Sequence, residues 1–317
     1  MNAEPIIRVD GLVRRFGEFT AVDHVSLRVH AGEIFAFLGA NGSGKSTTIR
    51  MLIGLLRPTE GSIVVDGIDV MAQTRRVRDH IGYMGQRVSL YQGLSLRENV
   101  EFYGGLQNLA GQELDHRWDR LRERFALGDV EREAASDLPA GVRQRAGLAL
   151  AILHQPRVLF LDEPTAGVDL VGRALFWELI QEQAAQGRTV FVTTHFLEEA
   201  DYCDRVSFID AGKIVADATP AELRERTGTD YVVRVTGPPT GLSAVAAALE
   251  AALPPRAAKV TVEGAQVRLR MGSLSPERIV ALRTAAEARG AHLLGIDPPD
   301  MGDVFRVLAR EAGETAS

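Results

Sequence analysis

The stretch Gly39-Ala40-Asn41-Gly42-Ser43-Gly44-Lys45-Ser46 decides how the chain is read. Its spacing is G-x-x-x-x-G-K-[ST]. The glycines let the backbone curl until several N–H groups point inward. Those donors, with the positive end of the following helix, suit a polyphosphate. Lys45 is spaced to reach the β- and γ-phosphates, and the Ser46 hydroxyl to ligate Mg²⁺. The flanks agree. Ile34–Leu38 is an apolar run that enters the loop, and Lys45–Leu56 has a helical pattern. A chance match within a glycine-rich loop need not have either flank.

A second element lies downstream. Val158-Leu159-Phe160-Leu161 reads as a buried strand that ends in Asp162-Glu163. Asp162 can hold Mg²⁺ through water, and Glu163 can orient or deprotonate an attacking water. Alone, the pair could be a solvated strand end. With the phosphate loop upstream, cleavage of a phosphate anhydride is the better reading.

Outward from these pieces, the chain alternates. Ile6–Val9, Val25–Val29 and Ile63–Val65 read as strands before the loop region closes. From Leu96 to Ala135 strand signals vanish and charged helical patterns replace them. Strands and helices then alternate again through Val158–Leu161, Arg173–Ala185, Val190–Thr193 and Val206–Ile209. This predicts an α/β core with a helical insert at about 87–145. After the helix Pro220–Arg226 a second unit begins. Its order is β-α-β-β-α-β, the ferredoxin-like motif, running from Tyr231 to Ile296 and followed by a helix from Met301. The predicted division is 1–227 and 228–317, and a length of 317 residues suits about two domains.

Composition removes several classes. The chain has 36 Lys and Arg against 42 Asp and Glu, a net charge of −6. That balance argues against nucleic acid as a partner. The single cysteine, Cys203, excludes an intramolecular disulfide. No N-terminal apolar segment resembles a signal peptide. The most apolar stretches, Ala146–Leu153 and Leu242–Leu253, are too short or too charged to span a bilayer.

Taken together, the residues from Ile6 to about Thr227 resemble the ATP-binding cassette (ABC) family, the nucleotide-binding subunits of transporters. The resemblance implies a β-subdomain, a RecA-like core with a phosphate loop, and a helical insert. It implies ATP and Mg²⁺, with Gly39, Ala40, Asn41, Gly42, Ser43, Gly44, Lys45, Ser46 and Thr47 around the phosphates. Phe16 matches the aromatic that stacks on adenine. Gln86, in Gly85-Gln86, matches the glutamine that touches Mg²⁺ and the attacking water. Asp162 and Ser46 complete the metal set. Asp169 lies in the loop that crosses to a partner subunit, and His195 matches the switch histidine at the γ-phosphate. Glu163, His195 and Gln86 are the implied catalytic group.

One piece departs from the pattern. The family's signature loop is Leu-Ser-Gly-Gly-Gln, whereas this chain has Leu138-Pro139-Ala140-Gly141-Val142. Pro139 cannot donate the serine's hydrogen bond to the γ-phosphate. It does suit the start of a helix, whose N-terminus, with the Gly141 N–H, can still face phosphate. The run Leu138 to Arg145 and the ending Asp303-Val304-Phe305 are similar to an ABC-2-type multidrug export branch. That resemblance implies a second ATP-binding subunit, a homodimer being the simplest case. It also implies a separate transmembrane permease and a place at the cytoplasmic face of the membrane. Two rival readings are a soluble ABC ATPase working on ribosomes or nucleic acid, and a regulatory ATP-binding module. No Asn-Lys-x-Asp guanine motif supports a GTPase.

Overall fold

Alternating apolar and polar residues build the first sheet, and they do so over a longer stretch than the sequence suggests. β1 (Ile7–Phe16) and β2 (Phe19–Val29) form an antiparallel hairpin, with three irregularities in register. β3 (Ile34–Leu38) follows, buried along its whole length. The phosphate loop then enters α1 (Lys45–Leu52). That helix ends four residues before the expected Leu56. Gly54 takes a left-handed φ of 71°, and the Leu55 and Leu56 N–H groups turn back to the Arg50 carbonyl. β4 (Glu60–Val65) and β5 (Ile68–Asp69) complete a four-stranded sheet ordered β2-β1-β4-β5.

The second sheet carries the chemistry. After α2 (Thr74–His80) and β6 (Ile81–Met84), three helices intervene: α3 (Leu96–Leu106), α4 (Gly111–Arg124) and α5 (Ala140–Ile152). The expected insert thus holds three helices and one isolated β-bridge, Ser95 with Ala134, and its last helix runs on past position 145. β7 (Val158–Asp162), α6 (Leu170–Ala185), β8 (Thr189–Thr194), β9 (Arg205–Asp210) and β10 (Lys213–Ala218) follow. The six strands are ordered β10-β9-β3-β8-β7-β6. β9, β3, β8, β7 and β6 pair in parallel. Strands buried on both faces need continuous apolar sequence, which explains Ile34–Leu38 and Val158–Leu161. Ile49, Met51 and Leu52 of α1 share one core with Phe35, Phe37, Phe160 and Phe191 of this sheet and with Leu12, Val22 and Ile63 of the other. The parallel strands present their C-terminal ends together, beside the phosphate loop.

The computed structural model describes residues 4–226 and 231–314, and the chain divides into units Met1–Asp217 and Ala218–Ser317. The expected boundary at Thr227 lies outside the described residues. α7 (Pro220–Arg226) falls in the second unit, with β11 (Tyr231–Thr236), α8 (Leu242–Ala251), β12 (Lys259–Glu263), β13 (Gln266–Met271), α9 (Pro276–Glu287), β14 (His292–Asp297) and α10 (Met301–Glu314). Its antiparallel sheet is ordered β12-β13-β11-β14. Alternate residues Val233, Val235, Val267, Leu269 and Met271 share a core with Leu242, Val245, Leu249 and Leu282 of α8 and α9. The residues between them in β13, Arg268 and Arg270, face instead an ionic cluster with α10.

Asp303 of α10 is the centre of that cluster, at 2% exposure. It accepts hydrogen bonds from Arg270 Nε at 2.7 Å and Arg306 Nη2 at 2.7 Å. Burial alone would raise the Asp303 carboxyl; the Arg306 and Arg270 hydrogen bonds outweigh it and hold its pKa below the usual value. A depressed folded-state pKa stabilises above the unfolded pKa and is lost as pH falls through the folded one. Asp303→Asn should therefore cost about 1.5–3 kcal/mol at pH 7, since it removes the charge-assisted bonds to Arg270 and Arg306 while Arg270 keeps its pair with Glu263. Urea denaturation should show the gap to the wild type closing as pH drops below the ordinary carboxylate range. A gap that persists in acid would show that the carboxylate charge is not what holds α10.

Candidate functional site

The site assembles where β3, β7 and β8 end. Gly39 leaves β3 with its N–H on the Thr194 carbonyl, at 3.3 Å. A Cβ at position 39 would lie 2.2 Å from the Ile209 carbonyl oxygen, so only glycine fits. Gly44 has φ 106°, and a Cβ there would meet the Ala21 carbonyl oxygen at 2.6 Å. These two close approaches hold the loop between the sheets and aim the α1 N-terminus across it. Ala40, Asn41 and Gly42 lie exposed at the tip, and Thr47 is half-buried in the first turn of α1. Ser43 is 4% exposed, yet its Oγ has no hydrogen-bond partner. A buried hydroxyl left unpaired inside such a loop fits a polar ligand at that position.

Glu163 gathers the rest. Lys45 Nζ donates to the Gly39 and Ala40 carbonyls at 2.8 and 3.0 Å and stands 3.2 Å from Glu163 Oε1. Gln86 Nε2 donates to Glu163 Oε2 at 3.3 Å. His195 Nδ1 is 3.2 Å from the same oxygen, without the alignment of a hydrogen bond. The backbone turns sharply to allow this. Glu163 has φ +50°, a left-handed conformation that costs a non-glycine residue about 1–2 kcal/mol. Its N–H is held by the Thr193 carbonyl and the Thr193 hydroxyl, each at 3.0 Å. Strain kept in place by such bonds is a mark of a working residue.

Asp162 sits one residue earlier, 1% exposed. Its Oδ1 accepts from Ser46 Oγ at 3.0 Å and from Thr193 Oγ1 at 2.6 Å. Among the described residues no group of three or more His, Cys, Asp or Glu side chains could hold a metal. A magnesium ion does not need one: it takes one or two carboxylates and completes its shell with phosphates and water. Asp162 beside Ser46 fits that donor set.

Three expected residues lie outside this cluster. Phe16 ends β1 about half exposed, with the Arg14 guanidinium 4.4 Å from its ring centroid. Gly141 lies half-buried in the first turn of α5, behind Pro139 at the N-cap, and a Cβ there would meet nothing. Asp169 caps α6, accepting from Val171 and Gly172 N–H at 3.1 and 3.0 Å. The Gly172 bond, ahead of the others, lowers its carboxyl pKa. The chain itself thus gives Asp169 a capping role that the motif did not suggest.

Two contributors were not singled out from sequence. Thr193 bridges Asp162 and Glu163, as described. Thr165 Oγ1 donates at 2.6 Å to Glu199, itself 1% exposed, tying the segment after Glu163 to the turn after His195. Polar residues inside the apolar strand Val190–Thr194 were the available signal for Thr193.

Residues 22–166 match the ABC transporter family profile. Daunorubicin resistance ATP-binding protein DrrA2 of Streptomyces coeruleorubidus is 34% identical over 312 residues, covering 94% of this chain and 93% of that protein. The chain belongs to the ABC transporter ATP-binding family. The probable multidrug ABC transporter ATP-binding protein YbhF of Escherichia coli is 43% identical over 227 residues, which is 72% of this chain. The match spans only 39% of YbhF's length. Among solved structures, the cassette MJ0796, a dimer in a post-hydrolysis state with ADP and Pi, superposes with a TM-score of 0.62. It is 25% identical and covers 67% of this chain and 98% of its own. The ABC cassette fold with its mixed α/β sheets is thus shared.

The Thr193 bridge yields a test within the cassette. Thr193→Val keeps the shape of the side chain and removes the donor to Asp162. The Mg²⁺ concentration needed for nucleotide binding should rise roughly tenfold, as loss of a hydrogen bond to a charged group implies. Binding without Mg²⁺ should stay unchanged, and Thr193→Ser should restore the wild-type titration. An unaltered Mg²⁺ dependence would remove the positioning role.

Proposed function

We propose that the chain is the ATP-binding and ATP-hydrolysing subunit of an ABC exporter, energising a separate membrane permease. The observation that carries this is the convergence of Lys45, Gln86 and His195 on Glu163 beside the phosphate loop. ATP entering the loop offers Lys45 its β- and γ-phosphates in place of Glu163. Glu163 then turns its freed carboxylate to a water in line with the γ-phosphate. Gln86 and His195, already beside it, orient that water and the γ-phosphate oxygens. Ser46 and Asp162 would hold Mg²⁺, which would supply charge neutralisation for the phosphates. Phe16 is the residue assigned to the adenine face.

The second half of each site comes from another subunit, a second copy of this chain in the simplest assembly. Gly141 and the α5 N-terminus would face the partner's ATP, and the Asp169 loop would cross between the two. Leu170 and Val171, at 80% and 79% exposure, put apolar surface beside that loop, as a covered interface would. The solved MJ0796 dimer supports pairing of such cassettes. ATP bridging both subunits closes the pair, and hydrolysis releases it.

An apolar cavity of about 330 Å³ suits the permease. Tyr83, Met84 and Val88 near Gln86 line it, with Tyr103 and Leu106 of α3 and Leu150 of α5. Its position next to Gln86 would let closure move the partner. No described helix is long and apolar enough to cross a membrane. An ABC-2-type partner, a cytoplasmic-face location and multidrug cargo belong to this proposal; the cargo is supported by the name of YbhF, a probable multidrug ABC transporter ATP-binding protein, and by that of DrrA2, a daunorubicin resistance protein. The division near residue 227 and the ferredoxin-like character of the second unit belong to the same reading. The latter is supported by the β-α-β-β-α-β order and the sheet order β12-β13-β11-β14.

Two experiments test the proposal. Lys45→Ala should abolish ATP binding in equilibrium dialysis, while Glu163→Gln should keep it, stop turnover and accumulate a closed dimer in sizing chromatography. Normal turnover by Glu163→Gln would refute the assignment of Glu163. Restoring the family serine gives the second test. Pro139→Ser should tighten the ATP-bound dimer roughly tenfold, since a hydrogen bond to a charged group contributes about 1.5–3 kcal/mol. Recovery of the chain with ribosomes rather than with a solubilised membrane protein would favour the rival reading.

A further inference from the structure

We propose that a basic pocket between α4, α6 and the start of β8 binds a doubly charged, phosphate-bearing anion. The pocket has a volume of about 240 Å³ and lies in the first unit. Arg117, Arg120, Arg124 and Arg188 line it, against one lining carboxylate, Glu182. Phe125, Leu121, Ile152 and Leu153 supply apolar wall. In a chain of net charge −6, four guanidinium groups around one small cavity are a local exception.

Two of the four are already balanced. Arg117 pairs with Glu113 at 2.6 Å, and Arg124 pairs with Glu182. The other two have no carboxylate among the described residues. Arg120 makes no hydrogen bond or ion pair there. Arg188 is half-buried, and its Nη1 donates only to amide oxygens, Gln183 Oε1 at 2.9 Å and Gln186 Oε1 at 2.6 Å. Those bonds fix the guanidinium and leave its Nε and Nη2 donors unused. Gln183 is 3% exposed, lines the same pocket, and its amide nitrogen has no partner among the described residues. Burial also disfavours the charged form of Arg188 and lowers its pKa. A bound dianion would supply what is missing: two negative charges for Arg120 and Arg188, and an acceptor for the Gln183 amide.

The pocket is distinct from the phosphate loop. β8 begins one residue after Arg188 and ends one residue before His195, which separates the two by about 20 Å of extended strand. The ATP phosphates cannot be its ligand from their own site. A free phosphorylated metabolite and a phospholipid headgroup share the required chemistry.

Calorimetry with inorganic pyrophosphate on the Lys45→Ala chain separates this pocket from the phosphate loop. Co-sedimentation with phosphatidylcholine vesicles containing phosphatidic acid tests the headgroup source. Pyrophosphate binding that weakens at least tenfold in Arg120→Gln/Arg188→Gln supports the site with a soluble ligand. Vesicle binding alone, lost in the same double variant, supports it with a headgroup. The double variant with Lys45 intact should bind ATP normally, which guards against misfolding. Arg120→Gln alone, at an exposed position, should also weaken binding. No binding of either probe, or binding indifferent to both arginine changes, overturns the proposal.

Discussion

Lys45 and Glu163 are 4% and 6% exposed and stand 3.2 Å apart, and the rest of the site is organised by that contact. Neither charge can be left in a dry strand-end pocket without an opposite charge or several hydrogen bonds. Lys45 has two loop carbonyls and one carboxylate. Glu163 has that lysine, an amide from Gln86 and the nearby imidazole of His195. Under the proposed function the pair is a placeholder: each partner is the group that the other would surrender when a polyphosphate arrives. An anion that satisfies Lys45 better than Glu163 does will free the carboxylate for chemistry at the same moment. On that proposal, binding and activation are linked through one exchange of partners.

The fold exists to keep that contact under strain and under cover. Three parallel strands, β3, β7 and β8, end side by side, so a loop, an acidic pair and a histidine meet although they are far apart in sequence. Fully buried strands can be held in register only by their neighbours, and the Phe35, Phe37, Phe160 and Phe191 cluster locks them there. That rigidity supports the left-handed turn at Glu163, which a looser backbone would relax. The second unit follows a different logic. One face of its sheet is closed by apolar packing with α8 and α9, and the other is tied to α10 by Arg268 and Arg270 of β13 converging on Asp303.

Much of this was legible in the chain. The phosphate loop is a local object: six backbone positions and two side chains, all within eight residues. The acidic pair is local too, because the apolar run that precedes it announces a buried strand. In the second unit the order of strands and helices followed from periodicity, whereas in the first the short elements β5, α2, β6 and β10 were not read from it. What failed did so for local reasons of another kind. The helix after the loop stopped at Leu52 because Gly54 reverses the backbone, a conformational effect that a hydrophobic pattern does not register. The strands β1 and β2 are longer than their apolar cores because pairing across the hairpin extends them through polar residues.

The sequence by itself determined that a polyphosphate loop and a buried acidic pair exist, because each is written in consecutive residues. Only the tertiary structure decided what they meet. It put Thr193 between Asp162 and Glu163, assigned Asp169 to the end of α6, and set Arg120 and Arg188 around one cavity without acids to balance them. Such relations join residues on different elements, and their distances depend on sheet order and helix packing. Spacing along the chain carries no information about a contact that the chain makes only by folding.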